Sequence, residues 1–152
     1  MRLILQRVSS AEVRVDGEVV SRIGRGVLAL VGVEKEDGRE QVAKAAEKLA
    51  HLRLFEDAEG RMNLDAAAVG GAFLVVSQFT LAGSLDKGRR PSFDGAAPAE
   101  RAEPLVEELV DELRALGCVV ETGRFGAHME VELINDGPVT FVLDLPPASG
   151  PS

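Results

Sequence analysis

Residues 26–33, GVLALVGV, form an apolar run of strand length with no polar interruption. Because successive side chains of a strand point to opposite sides of a sheet, such a run must be covered on both faces. A second run of this kind, GAFLVVSQFTL at residues 71–81, ends in polar residues. The two segments therefore predict strands that are buried on both faces.

The flanking segments also favour β-structure. LILQRV (residues 3–8) reads as a strand, and AEVRVDGEVV (residues 11–20) reads as a hairpin whose Asp16-Gly17 pair supplies the positive-φ positions of a type I′ turn. Residues 52–64 predict a short strand, a turn at Glu59-Gly60 and a return strand. Three further strands are predicted at VVETGRF (119–125), HMEVELIN (128–135) and VTFVLDL (139–145).

Two segments have the periodicity of amphipathic helices. In residues 37–52, apolar side chains recur at helical spacing with charges between them. In the second segment, Pro98 can occupy the first turn and Gly117 stops the helix. The apolar stripes comprise Val42, Ala45, Ala46 and Leu49 in the first helix, and Val106, Leu109, Val110, Leu113 and Leu116 in the second. The fold class is thus α+β, a mostly antiparallel sheet with two amphipathic helices packed on it.

The composition fits one globular domain. The chain has 152 residues, 45% hydrophobic and 28% charged, and no linker or repeat divides it. We expect a single domain over residues 1–145 and a flexible tail over residues 146–152. No apolar run reaches the length of a membrane span or a signal sequence, and the single cysteine excludes an internal disulfide. The cytoplasm is the expected compartment.

The net charge of −8, from 17 basic and 25 acidic residues, argues against broad nucleic-acid binding and predicts no DNA partner. Residues 86–93, DKGRRPSF, nevertheless concentrate Lys87, Arg89 and Arg90. This cluster is either a solvated loop or a local patch for RNA phosphates.

Few residues suggest acid–base or metal chemistry. His51 lies in the last turn of the first predicted helix, where a capping role is favoured. His128 could act as a base for Ser77 or Thr80, although no spacing supports a triad. Cys118 is interpreted as a small buried hydrophobe. Two histidines and one cysteine do not predict a zinc site, and no cofactor is expected.

SQFTL, residues 77–81, allows two interpretations. If the strand continues, Gln78 and Thr80 share one face, and Ser77 and Phe79 share the other. The segment is then either a strand emerging at the surface or a small polar site that offers hydroxyl, amide and backbone N–H groups to a substrate carbonyl.

NDGPVT, residues 135–140, also allows two interpretations. Asn135, Asp136 and Gly137 can form a turn, with Pro138 beginning the last strand. Alternatively, the Gly137-Pro138 bond is cis, which points adjacent carbonyl oxygens the same way and builds a rigid wall of acceptors.

Five motifs in this order resemble the D-aminoacyl-tRNA deacylase family: LQRV near the start, then SQFTL, KGRRPSF, ETGRFGA and NDGPVT. The resemblance covers Met1 to Leu145. One departure stands out, because FGAHM places His128 where the family has aspartate.

The resemblance implies a homodimer of small β-barrel-like α+β subunits with active sites at the subunit interface. These enzymes hydrolyse the ester that joins a D-amino acid, or glycine, to the 3′ end of tRNA. The resemblance implies that four residues surround the scissile ester: Ser77, Gln78, Phe79 and Thr80. It also implies that Gly137 and Pro138, joined by a cis bond, form the chiral selector, which is inserted into the partner's site. It further implies that Arg7 braces that loop, that Met129 lines the pocket, and that Lys87, Arg89 and Arg90 contact tRNA.

Two mechanisms are compatible with these residues. Thr80 could be the nucleophile, although no activating base is evident in the sequence. We favour attack by water, aided by the ribose 2′-hydroxyl, with a backbone N–H near Phe79 stabilising the oxyanion. The alternatives to the whole hypothesis are a deacylase of other misacylated tRNAs and a non-catalytic RNA- or ligand-binding module on the same fold.

Overall fold

The structure, a computed structural model, describes residues 1–147. The predicted flexible tail, residues 146–152, therefore falls mostly outside the described part of the chain. Eight strands and two α-helices follow one another in the described part. They are β1 (Arg2–Val15), β2 (Glu18–Ile23), β3 (Gly26–Gly32), α1 (Arg39–His51), β4 (Phe55–Glu56), β5 (Met62–Leu64), β6 (Ala72–Ser77), α2 (Ala99–Ala115), β7 (Val119–Thr122) and β8 (Glu130–Asp144).

The main sheet is mixed and nearly closes into a barrel. Its order is β2-β1-β3-β6-β7, with β8 paired to β1. The pairs β1–β2, β1–β3 and β1–β8 are antiparallel, whereas β3–β6 and β6–β7 are parallel. β2 folds over to contact β6 and β7. The predicted fold class is confirmed, and both parallel pairs involve β6, which pairs with β3 and with β7.

Both faces of β3 and β6 are buried, as the apolar runs predict. Val31 and Phe73 belong to the core under the helices, and Leu28 and Leu74 belong to a second cluster inside the barrel. Gly26 permits this packing, because a Cβ there would lie 1.8 Å from the carbonyl oxygen of Ala72. Glycine at this position therefore allows the backbones of β3 and β6 to come together where their pairing begins.

Local sequence signals are confirmed at several element boundaries. Asp16 and Gly17 have φ angles of 51° and 80°, as the predicted hairpin turn requires. Gly117, with φ of 90°, follows the end of α2. Pro98 differs slightly from expectation, because it lies at the N-cap position of α2, before the first turn.

Two predictions about the strands were wrong. The strand predicted at residues 3–8 and the first strand of the hairpin predicted at residues 11–20 are one strand, β1, because it pairs along its whole length with β8. The predicted strands at residues 128–135 and 139–145 are likewise one strand, β8, which runs antiparallel to β1 on both sides of Gly137-Pro138. The Gly-Pro pair therefore does not reverse the chain.

The N-terminal ammonium group is buried in the fold. Met1 N donates to Asp37 Oδ1 at 2.7 Å and to the carbonyl of Leu145 at 2.7 Å. The side chains of Met1 and Asp37 are both 0% exposed. Asp37 Oδ2 also accepts from the Glu34 N–H at 2.7 Å, so the ion pair of Met1 and Asp37 links the start of β1, the segment before α1 and Leu145 after β8.

Candidate active site

The polar residues after β6 form a helical turn, and the predicted continuation of the strand through Thr80 was wrong. β6 ends at Ser77, and a 3-10 helix runs from Phe79 to Ala82. The Gln78 N–H donates to the Val31 carbonyl at 2.8 Å, which completes the parallel pairing just before the turn. The alternation of faces expected for these side chains therefore does not apply. We call residues 77–82 the SQFT turn.

The SQFT turn lies directly against β3. A Cβ on Gly32 would meet the Cβ of Leu81 at 2.7 Å and the carbonyl oxygen of Gln78 at 3.1 Å. Glycine at this position allows the backbone of the turn to sit on the end of β3. The turn is thus held by a buried strand, which is the rigid support that a catalytic constellation needs.

The side chains of the SQFT turn bond to one another. Gln78 Nε2 donates to Thr80 Oγ1 in a short contact. Ser77 and Gln78 are half-buried, whereas Thr80 is exposed and Phe79 is 57% exposed. An amide donor therefore faces the hydroxyl of Thr80, where a nucleophile would need a base to accept its proton.

A cleft of about 340 Å³ opens beside the SQFT turn. Ser77, Phe79 and Met129 all line it, so the structure brings these three predicted residues together. The remaining lining residues are small or apolar: Val33, Ala97, Ala99, Ala102, Phe125, Gly126 and Ala127. Thr80 does not line this cleft but an adjoining hollow of about 360 Å³, which we call the outer hollow.

Met129 is fixed in place by a close approach to the backbone. A Cβ on Gly123 would lie 2.8 Å from Met129 Sδ, and the Arg124 N–H lies 3.4 Å from the same sulfur. The segment ETGRFGA, whose Phe125, Gly126 and Ala127 line the cleft, therefore shapes part of its wall. Sequence reasoning assigned no role to Phe125.

Gly137 and Pro138 lie in a segment that is looped out of β8. Gln6 pairs with Thr140 and Val8 pairs with Asn135, so residues 136–139 bulge opposite Arg7. The Gly137-Pro138 bond is cis, and both residues are exposed. We call residues 136–139 the Gly-Pro loop.

Asn135 closes the Gly-Pro loop from within. Its Oδ1 accepts from the Val139 N–H at 2.8 Å, and its Nδ2 donates to Thr140 Oγ1 at 2.9 Å. One amide side chain thus satisfies groups on the returning side of the loop. The asparagine was part of the quoted motif, yet only its turn propensity suggested a role.

Arg7 holds the Gly-Pro loop from the barrel. Its Nε donates to the carbonyl of Asp136 at 3.0 Å and its Nη1 donates to the carbonyl of Leu54 at 2.8 Å. Only 6% of Arg7 is exposed. The carboxylate of Asp136 lies 3.8 Å from the guanidinium and adds a partner of opposite charge. Arg7 therefore contacts the loop as the resemblance implies.

Lys87, Arg89 and Arg90 are exposed on one loop next to the SQFT turn. Ser84 and Ser92 close the base of this loop with two backbone hydrogen bonds of 2.7 and 2.8 Å. We call residues 84–92 the basic loop. Phe93 follows it and packs on Phe79, with ring centroids 5.2 Å apart and planes inclined by 54°. No sequence pattern predicted this aromatic pair, because Phe79 and Phe93 lie 14 residues apart on either side of the basic loop.

Neither histidine lines the cleft, and the cysteine does not line it either. His51 Nδ1 lies 3.0 Å from the carbonyl of Glu47 in the last turn of α1, which confirms the predicted capping position. His128 is exposed. Burial raises the pKa of the half-buried Cys118 thiol, and the charge of Asp65 adds to the rise. Residues 1–147 hold no cluster of three or more potential metal ligands, and none of their helices could span a membrane.

The fold is that of a known class of small barrel-like α+β proteins. It superposes on a solved structure named c-Myc DNA Unwinding Element Binding Protein with a TM-score of 0.91 and 38% identity, covering 96% of this chain and 99% of the other. A second structure, described as a probable eukaryotic D-amino acid tRNA deacylase, has a TM-score of 0.82 at 19% identity, covering 95% of this chain and 98% of the other, and supports the fold alone.

The sequence comparisons are more specific. The family model described as D-Tyr-tRNA(Tyr) deacylase matches residues 4–144. D-aminoacyl-tRNA deacylases of Thermomicrobium roseum and Anaeromyxobacter dehalogenans are 60% and 58% identical, over 95% of this chain and 94% and 97% of theirs. That of Geobacter metallireducens is 55% identical over 99% of both chains. The chain belongs to the D-Tyr-tRNA(Tyr) deacylase family.

Proposed function

We propose that the chain hydrolyses the ester between a D-amino acid, or glycine, and the terminal ribose of tRNA, and that it rejects L-aminoacyl-tRNA. The observation that carries this proposal is the Gly-Pro loop, which is exposed, looped out of a regular strand and fixed by Arg7 and Asn135. Family membership makes the chain a hydrolase, and this loop supplies a rigid element that can distinguish mirror images. The expected compartment is the cytoplasm, where tRNA is aminoacylated.

The chiral discrimination follows from exclusion. A D-amino acid and its mirror image carry the same groups, so only a wall of fixed handedness can separate them. Backbone held by a buried guanidinium does not rotate away, as a side chain would. The wall accepts a hydrogen bond from the α-amino group and leaves room only for a hydrogen atom at the position that an L side chain would occupy. An L-amino acid is therefore rejected. Glycine passes, and the identity of the D side chain is not read.

The loop acts on a second subunit in this proposal. β8 is the edge strand beyond β1, and an unpaired edge with exposed apolar side chains is suited to association. Ile134, Phe141 and Val142 are 61%, 47% and 61% exposed. A homodimer that covers this surface would carry the Gly137-Pro138 tip of one subunit into the cleft of the other.

The cleft beside the SQFT turn receives the terminal adenosine and its ester. Its lining of alanine residues with Phe79, Phe125 and Met129 is small and apolar, which suits a flat base. Ser77 lies in the same wall, so the ester can lie beside its hydroxyl.

Hydrolysis uses polarisation of the ester carbonyl and attack by water. The first N–H groups of a helical turn have no acceptor within that turn, so the Phe79 N–H is available to an oxyanion. Thr80 receives a hydrogen bond from Gln78, which does not activate it as a nucleophile. The ribose 2′-hydroxyl lies next to the ester and directs the water.

Binding of tRNA relies on a local patch. Lys87, Arg89 and Arg90 lie together on the basic loop, beside the SQFT turn. The overall charge of the chain is −8, but these three cations make the charge positive at the place where the acceptor end of tRNA is held. Phosphate contacts of this kind give an affinity that decreases with salt concentration.

The test is incubation of the protein with D-Tyr-tRNA, Gly-tRNA and L-Tyr-tRNA. We expect release of D-tyrosine and glycine and retention of the L ester. Equal hydrolysis of the L form would favour a deacylase for other misacylated tRNAs. Hydrolysis of none would favour a non-catalytic binding module and overturn the proposal.

A further inference from the structure

Phe93 packs on the SQFT turn from outside the active-site cleft. Its ring contacts Phe79, and a Cβ on Gly83 would meet two of its ring carbons at 3.0 Å. One edge of the ring therefore packs against the backbone that leaves the turn. Even so, 41% of Phe93 is exposed. An aromatic ring that is held by such contacts and remains exposed can serve as a stacking surface.

The aromatic pair separates two hollows. Phe79 lines the cleft that contains Ser77, and Phe93 lines the outer hollow. The walls of the outer hollow also include Arg2, Leu85 and Pro91, of which the last two belong to the basic loop. A ligand that continues out of the cleft past Phe79 thus reaches Phe93 and then the cations of the basic loop.

We infer that Phe93 and the basic loop bind the nucleotides that precede the terminal adenosine of tRNA. The penultimate base stacks on Phe93, and Lys87, Arg89 and Arg90 contact the phosphates. Proteins that bind single-stranded nucleic acids combine these two elements, an aromatic platform and a row of positive charge. The inference rests on the proposed function, because that function places the terminal adenosine in the cleft.

The two ends of the basic loop are paired directly beside Phe93. The paired backbones of Ser84 and Ser92 fix both ends of the loop, and the Phe93 carbonyl accepts from the Ala96 N–H at 3.0 Å. The loop carries three cations and one carboxylate, Asp86, in a chain whose overall charge is −8, so its local charge is positive and suits a polyanion.

The experiment compares two substrates of different length. One is D-Tyr-tRNA, and the other is the D-tyrosyl ester of adenosine, which lacks every preceding nucleotide. For Phe93→Leu we expect a decrease in kcat/KM of roughly tenfold or more on the tRNA, from the loss of one base–aromatic stack, and a change of about twofold or less on the adenosine ester. Phe93→Tyr, which keeps the aromatic face, should restore the tRNA activity. Equal losses on both substrates would mean that Phe93 only supports the turn, and would overturn the inference.

A binding measurement makes the result independent of catalysis. An uncharged RNA minihelix with 2-aminopurine at the penultimate position should lose fluorescence on the wild type and on Phe93→Tyr, because stacking quenches this base. Phe93→Leu should leave it bright. Leu116→Ala, at a residue that is 46% exposed after α2, is the matched control and should behave as the wild type. Quenching that persists in Phe93→Leu contradicts the platform, whereas a wild type that quenches but cleaves neither substrate contradicts only the proposed function.

Discussion

Arg7 Nε donates a hydrogen bond of 3.0 Å to the backbone carbonyl of Asp136, the residue that precedes Gly137. The same guanidinium donates to Leu54, so one buried side chain joins the Gly-Pro loop to the segment that enters β4. A lysine would keep the charge but lacks the planar fork that reaches two carbonyls at once.

Arg7→Lys should therefore loosen the Gly-Pro loop. Loss of a donor from a buried carbonyl costs about 1–3 kcal/mol. We expect the ratio of kcat/KM for D-Tyr-tRNA to that for L-Tyr-tRNA to fall by about tenfold, because 1.4 kcal/mol corresponds to a factor of ten. Arg22→Lys, at a residue that is 65% exposed, is the control and should leave the ratio unchanged. An unchanged ratio in Arg7→Lys would show that Arg7 does not support selection.

Gly137→Ala should disable the Gly-Pro loop without unfolding the domain. Gly137 has φ of +137°, and a Cβ there would meet Val139 Cγ2 at 2.8 Å and Arg7 Nη2 at 3.2 Å. A non-glycine residue in such a conformation costs about 1–3 kcal/mol. We expect hydrolysis of D-Tyr-tRNA to fall by about tenfold or more, while unfolding stays cooperative and its midpoint falls by roughly 2–12 °C, the equivalent of that strain. Gly24→Ala, where an added Cβ meets nothing within 4 Å, is the control. Full activity of Gly137→Ala would contradict the role of the loop.

Thr80→Ala should retain much of its activity, because the only side-chain hydrogen bond that Thr80 makes within residues 1–147 comes from an amide donor. We expect kcat within about tenfold of the wild type, whereas removal of a true nucleophile can cost on the order of 10⁶-fold. Single-turnover hydrolysis of D-Tyr-tRNA measures this. A dead variant with an intact fold would make Thr80 the nucleophile.

The 2′-hydroxyl is tested on the substrate side. A tRNA that ends in 2′-deoxyadenosine and is charged with D-tyrosine should be bound but not hydrolysed, because the group that directs the water is missing. Hydrolysis at the normal rate would exclude assistance by the ribose.

Phe141→Asp should produce an inactive monomer if β8 forms the proposed subunit interface. A charge without a partner in a desolvated interface costs several kcal/mol, so association should weaken by about 100-fold or more. Sedimentation measures the oligomeric state, and hydrolysis of D-Tyr-tRNA should decrease in parallel. A variant that is monomeric but fully active would refute a site completed by the partner.

Asp37→Ala should lower stability, because the buried ammonium group of Met1 would lose its charged partner. Breaking a buried ion pair costs about 3–5 kcal/mol. The free energy of unfolding in urea measures the loss, with Glu36→Ala at the neighbouring exposed position as the control. Equal stability of the two variants would show that the pair contributes nothing.

Local patterns predicted the elements but not the site. The apolar runs of β3 and β6, the Asp16-Gly17 turn and the periodicity of both helices depend on short-range rules, and these were confirmed. The SQFT turn was mistaken for strand because tertiary pairing of Gln78 with Val31 decides where β6 ends.

The contacts of Arg7 illustrate what a pattern cannot contain. Its partners Asp136 and Leu54 lie 129 and 47 residues away along the chain, so no window of sequence brings them together. The roles of Arg7, Gly137 and Pro138 came instead from the family resemblance. The continuity of β8 was missed for the same reason, since only its register with β1 shows that the strand resumes after the loop.

The hydrogen bond from Arg7 to Leu54 has a consequence for how such a protein can change over generations. Leu54 lies just beyond α1, in a part of the fold that does not line the cleft. Mutations that shift this backbone would disturb the hydrogen bonds by which Arg7 holds the Gly-Pro loop, while every residue of the cleft stayed the same. Accuracy could then erode before catalysis does, and a lineage would begin to destroy correctly charged tRNA with an apparently intact active site.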